Sequence, residues 1–138
     1  MSLYETLLFF HVLGAFALVA GTTAMAPFAL GWGQAALERA GAVKLAMTGS
    51  ILSGIGAVLT LVLGLWLVGN VGYAFFRLWI LAALVFWAIA GYSNGQISSA
   101  ARGVHKGEEA ARNLRVLWIA DAVGATLLLV LMVWKPGR

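Results

Sequence analysis

The sequence predicts an all-α membrane protein, an up-down bundle of four transmembrane helices. Three observations carry that reading. Hydrophobic residues make up 62% of the 138 positions and charged residues only 10%, against roughly 25% charge in an ordinary soluble domain. The apolar residues gather into four stretches, each close to or above the ~20 residues that a hydrocarbon layer of about 30 Å requires. None of the stretches alternates with period two as a barrel strand would, and in lipid a helix satisfies its own backbone polar groups.

The first span covers roughly residues 4–30. It opens Met1-Ser2-Leu3-Tyr4-Glu5 without a basic leader, and its apolar run is too long for the core of a signal peptide. Ala24-Met25-Ala26 has the small-residue pattern of a cleavage site, but Pro27 follows it, so the segment reads as retained. Gly31-Trp32-Gly33 breaks the span, and residues 34–44 read as a short polar connection. The second span covers roughly 45–68. Gly69-Asn70-Val71-Gly72-Tyr73 then reads as a tight turn, glycine and asparagine supplying positive φ. The third span covers roughly 75–97 and the fourth roughly 114–134, with a polar connection over 98–113. Glu108 and Arg112 are four apart in the favourable order on a helix, which predicts a fourth helix starting near Gly107 and projecting from the membrane. The whole chain, 1–138, reads as one domain.

Lysine and arginine orient the bundle. Arg39, Lys44, Arg102, Lys106, Arg112 and Arg115 lie in or beside the first and third connections, and Arg77, Lys135 and Arg138 on the other side. Six against three puts the connections inside and both termini outside a bacterial cytoplasmic (inner) membrane. Tyr4, Tyr73, Trp79 and Trp134 fit an outer aromatic belt, Trp32 and Trp118 an inner one. The net charge of +4 is spent at helix ends and forms no nucleic-acid patch.

The absence of cysteine excludes disulfides, thiolate metal sites and thiol catalysis. No paired carboxylates, H-E-x-x-H, P-loop or G-x-S-x-G pattern occurs. The four methionines are too scattered for a thioether copper path. No catalytic residues and no metal site are therefore expected.

Helices associate in lipid where small residues let backbones approach. Gly14 and Gly21 mark such a face in the first span, Ser53, Gly54 and Gly56 in the second, the Gly91-x-x-x-Gly95 pair in the third and Gly124 in the fourth. The second span, with Gly49, Ser50, Ala57 and Gly64 besides, reads as the most buried.

Ionisable groups inside a span are costly and mark candidate sites. His11 lies about 10 Å below Tyr4 at a helical rise of 1.5 Å per residue. It shares a face with Gly14, Ala15, Leu18 and Thr22 and a depth with Thr60 and Thr126. It reads either as a neutral, hydrogen-bonded core histidine or as a functional residue: a cofactor-binding axial ligand to haem or a chlorophyll-type pigment, or a proton-relay group. Asp121 lies about 20 Å below Trp134. It reads either as a protonated core residue or as an ion or proton site, with Ser53 and Tyr92 at a similar depth, Thr22 beside them and Asn94 slightly further in. His105 falls in the third connection, across the membrane from His11, so one chain offers no bis-histidine haem site.

Three stretches form a pattern: Leu3-Tyr4-Glu5-Thr6-Leu7-Leu8-Phe9-Phe10-His11-Val12-Leu13-Gly14, then Gly64-Leu65-Trp66-Leu67-Val68, then Leu131-Met132-Val133-Trp134-Lys135-Pro136-Gly137. Together they resemble an uncharacterised, actinobacterial-type family of predicted four-helix integral membrane proteins, along the whole chain. The H-x-x-G element is similar to that of copper-resistance D-type membrane proteins, whose further histidines are missing here. The resemblance implies topology and no activity. Three functions follow from the residues: a non-catalytic accessory or structural subunit of a larger membrane assembly, a haem- or pigment-binding subunit using His11, and a small homo-oligomeric transporter or channel using Asp121. The implied partners are the lipid bilayer and further membrane subunits.

Overall fold

A computed structural model describes residues 1–32, 35–72, 77–109 and 113–134. Four helices make up almost all of them: α1 (Leu3–Ala29), α2 (Ala36–Val71), α3 (Leu78–His105) and α4 (Leu114–Trp134). Each is long and apolar enough to cross a membrane, and no strand occurs among the described residues. The chain is a multi-pass, all-α membrane protein.

Local chemistry explains where the helices begin and end. Ser2 caps α1 reciprocally: its hydroxyl accepts from the Glu5 amide at 3.2 Å, and the Glu5 carboxylate accepts from the Ser2 amide at 2.7 Å. α1 and α3 both close with a left-handed glycine. Gly31 (φ +73°) and Gly107 (φ +93°) donate to Phe28 and Val104, and Trp32 and Glu108 reach back to Pro27 and Gly103. This pairing satisfies carbonyls that a helix end leaves open. Gly72 (φ +83°) caps α2 in the same left-handed region.

The polar segments correct three expectations. Residues 36–44 are the first turns of α2, where a connection was expected. Ala36, Leu37, Glu38, Arg39, Ala40 and Lys44 are good helix formers, and Ala42 and Val43 are buried in one cluster with Phe28 and Ala29 of α1 and Ile97 and Ala101 of α3. The Arg39 guanidinium donates to the Phe28 carbonyl at 3.2 Å and lies 4.7 Å from the Phe28 ring centre. Residues 98–105 likewise continue α3, because Ser98 and Ala101 face the core. Gly107 therefore ends α3 and does not open α4. Gly69, Asn70 and Val71 are still helical, so the turn after α2 begins only at Gly72. Arg112 and Tyr73 lie outside the described residues.

Pairings across the helices show the up-down order. Gly14 lies against Gly56, and Gly21 against Gly49. Ser50 bonds to Ser98 and Trp87 to Ala57, while Thr22 meets Asp121. From α1 to α2 and from α2 to α3 residue numbers rise on one helix as they fall on the other; Leu114 clusters with Phe28 and Ala101 while Ala125 clusters with Leu18 and Gly124 lies on Phe86, so α4 is antiparallel to its neighbours as well. α1 touches α2 and α4, α3 touches α2 and α4, and α2 does not reach α4 among the described residues. One end of the bundle carries both chain termini (the terminus end); the other carries the first and third connections (the connection end).

The surface is apolar: Phe16, Ile51, Leu78 and Val133 are 70%, 65%, 75% and 87% exposed. The interior holds Thr22, Ser50, Ser53, Thr60, Ser93, Ser98 and Asp121. Water would not tolerate that much exposed aliphatic surface; lipid solvates it. Small residues set the tightest contact. A Cβ on Gly56 would meet the Leu18 amide and Gly14 carbonyl, and one on Gly21 the Gly49 carbonyl and Ser53 backbone. Gly124 packs on the Phe86 carbonyl of α3. The other glycines expected to pack do not. Gly54 meets only the Asn94 amide, at 3.9 Å from where its Cβ would lie, and Gly91 and Gly95 meet nothing within 4 Å. α3 buries Ala90, Ser93, Ile97 and Ala101, which turns Gly91 and Gly95 outward.

Candidate functional site

His11 sits on α1 facing Gly64 of α2. Its Cε1 lies 3.0 Å from the position a Cβ on Gly64 would occupy, so only glycine lets the imidazole lie there undisturbed. One turn from Gly64, Thr60 is 1% exposed, and its hydroxyl has no hydrogen-bond partner among the described residues. Beyond this pair the helices part around a cavity of about 690 Å³, within the ~300–1,000 Å³ usual for small-molecule and cofactor sites.

All four helices line this cavity. α1 gives His11 and Ala15, α2 Thr60 and Gly64, α3 Trp79 and Trp87, and α4 Leu128 and Met132. The Trp87 indole is fixed by donating to the Ala57 carbonyl at 2.9 Å. Phe16 and Val133, both largely exposed, also belong to the lining, so the cavity opens towards lipid. Among the described residues the walls carry no lysine, arginine, aspartate or glutamate. Such a space suits a flat apolar molecule that meets a few polar groups. Thr126, expected at the depth of His11, turns away: it is exposed and donates to the Ala122 carbonyl of its own helix.

The second sequence candidate is separate. Asp121 on α4 is fully buried. One carboxylate oxygen accepts from the Thr22 hydroxyl at 3.4 Å, and the other has no hydrogen-bond partner among the described residues. Thr22 and Ser53 hydroxyls stand 3.5 Å apart, and Trp118 donates to the Thr22 carbonyl at 2.9 Å. Thr22 thus meets Asp121 directly, and Ser53 meets Thr22. Tyr92 does neither: it is 67% exposed. On α3 the inward positions are Ala90 and Ser93, and Tyr92 falls between them on the opposite face. Asn94 donates to the Ser50 carbonyl at 3.3 Å instead.

Leu18, Ala57, Ala125 and Leu128 form a buried apolar layer one to two turns from Asp121 towards the cavity. It keeps the two candidate sites apart. Among the described residues no three histidine, aspartate or glutamate side chains converge on a metal position. Sequence reasoning missed Trp87 and the pairing of Ser50 with Ser98, while Gly49, named among the small residues of the second span, lies against Gly21.

No family model, curated protein or solved structure matches the chain.

Proposed function

We propose that this chain is a non-catalytic integral membrane protein that holds a flat, largely apolar molecule of the haem or chlorin class in the cavity beside His11, as a subunit of a larger membrane assembly or a homo-oligomer. The observation that carries this reading is the cavity itself, about 690 Å³ and apolar, with one imidazole and one buried hydroxyl in its walls. His11 would supply one axial nitrogen, and Thr60 a hydrogen bond to a ring substituent. The bound ring would bring light absorption or electron transfer, and the protein its position and surroundings. The outward Gly91-x-x-x-Gly95 pair of α3 supports assembly with another helix, since small residues permit close approach in lipid. The charge bias of the connections supports a bacterial cytoplasmic membrane with both termini outside. Membership of the uncharacterised four-helix family belongs to the same proposal and rests on the stretches around His11, Gly64 and Trp134.

The test is the visible spectrum of the protein purified in mild detergent from its native host. The expected result is a Soret or chlorin band in the wild type, lost in a folded His11→Gln, because an amide cannot replace the axial nitrogen. A colourless wild type under full cofactor supply would remove the tetrapyrrole. A band unchanged in His11→Gln would remove the histidine.

A further inference from the structure

A line of buried polar groups runs from Asp121 to the connection end, away from the cavity. It begins with the Asp121 carboxylate, the Thr22 hydroxyl and the Ser53 hydroxyl. Ser50 lies one turn further along α2. Its carbonyl accepts from the Asn94 amide at 3.3 Å, and its hydroxyl lies 3.1 Å from that of Ser98. The Ser98 hydroxyl in turn accepts from the Arg102 guanidinium at 2.7 Å. Arg102 is exposed in the last turn of α3. Two oxygens on this line, Asp121 Oδ1 and Asn94 Oδ1, are buried and have no hydrogen-bond partner among the described residues. Buried polar atoms are nearly always satisfied, by protein or by water, so both oxygens point to further small polar species between the helices.

We propose that Asp121 is a proton-binding site in the bundle interior, reached from the connection end along Ser98, Ser50, Asn94, Ser53 and Thr22. An ionised carboxylate deep in a membrane bundle is costly unless a charge offsets it. No cation among the described residues does so. α1 presents Thr22 to it, Ser53 of α2 stands beside Thr22, and α3 packs on this part of α4 through Phe86 and Ala90. The charged groups of these helices lie elsewhere: Glu5 and His11 towards the terminus end, and Glu38, Arg39, Lys44, Arg102, His105 and Arg115 towards the connection end. A proton fits better than a metal ion. Hard cations need about six or more oxygen ligands, whereas the Asp121 carboxylate is met by one hydroxyl, that of Thr22, among the described residues. All four helices are also continuous at this level, so none offers the unwound carbonyls of an ion site. The step is a simple protonation: the carboxylate takes a proton that enters from water near Arg102, passed by hydroxyls and intervening water. The Leu18, Ala57, Ala125 and Leu128 layer stops it short of the His11 cavity. This proposal does not rest on any ligand in that cavity.

Infrared spectroscopy of the full-length protein in lipid nanodiscs tests it. The wild type should show the carbonyl band of a buried carboxylic acid, sensitive to deuterium and lost in Asp121→Asn. In Ser50→Ala/Ser98→Ala, which keeps Asp121, deuterium exchange at that band should slow about tenfold, as expected when a lost hydrogen bond raises a barrier. Thermal melting of each variant identifies any that has not folded, and the exchange measurement stands even if Asp121→Asn fails. A missing band in the wild type overturns the proposal. So does exchange unaffected by the double substitution. Loss of the band on adding sodium at constant pH would show a metal-ion site and overturn it too.

Discussion

Gly56 and Gly21 govern how closely α1 and α2 approach, because backbone atoms of the partner helix fill the space where their side chains would be. In lipid this contact replaces much of what hydrophobic burial does in water. Gly56→Leu should therefore be severely disruptive, beyond the ~1–3 kcal/mol typical of overpacking, since the obstacles are backbone atoms of Gly14, Ala17 and Leu18 and cannot turn aside. Gly54→Leu should be much milder, because only the flexible Asn94 amide stands nearby. Thermal unfolding in detergent compares them, and equal losses would show that the contact in this bundle is set elsewhere. The same scale separates the two ionisable candidates. His11 borders a cavity and Asp121 a hydrogen-bonded line, although both are single ionisable residues in apolar spans.

Among the elements, α2 departs most from a simple span. Its 36 residues reach about 54 Å at 1.5 Å per residue, far more than a hydrocarbon layer of about 30 Å needs. The excess is amphipathic. Ala42, Val43 and Ala46 pack with Phe28, Ala101 and Leu114, and Glu38 and Arg39 start the helix beyond that cluster. Gly41 sits in this segment with nothing within 4 Å of a Cβ placed on it. Gly41→Ala should then stabilise the protein by about 0.5–1 kcal/mol, the difference between glycine and alanine inside a helix. Hydrogen exchange over residues 37–44 would report it as slower opening. A destabilised variant would show that the segment is not helical in the membrane.

For the whole molecule, antiparallel neighbours require Asn70 and Lys106 to lie at opposite ends of the bundle. Asn70→Cys and Lys106→Cys, each the sole cysteine of a chain that has none, should react with an impermeant maleimide from opposite sides of the membrane. Labelling from one side would contradict the up-down bundle. At this scale the interior divides in two: the terminus half holds an apolar cavity open to lipid, and the connection half carries a polar line, with a four-residue apolar layer between them. That division gives the ligand proposal and the proton proposal separate addresses and separate variants.

The sequence by itself determined the number of helices, their antiparallel order and the membrane as solvent. Composition and the length of apolar runs are local properties, and connections this short leave neighbouring helices antiparallel. It also marked His11, Asp121 and the glycine pairs that pack α1 on α2. Only the tertiary structure decided which face of each helix is inward. In water, hydropathy separates core from surface; in lipid both are apolar, so the pattern reveals a helix without its orientation. For that reason Tyr92 could be read as a neighbour of Asp121 when Ser93 is the inward residue, and Gly91 and Gly95 as packing positions when they face outward. Helix ends were misread for a related cause. The polarity of residues 36–44 and 98–105 suggested connections, while contacts from Phe28, Ser50 and the other helices hold both stretches in the helix. The cavity beside His11 was invisible in the sequence, because an empty volume belongs to the spacing of four helices and to no residue in particular.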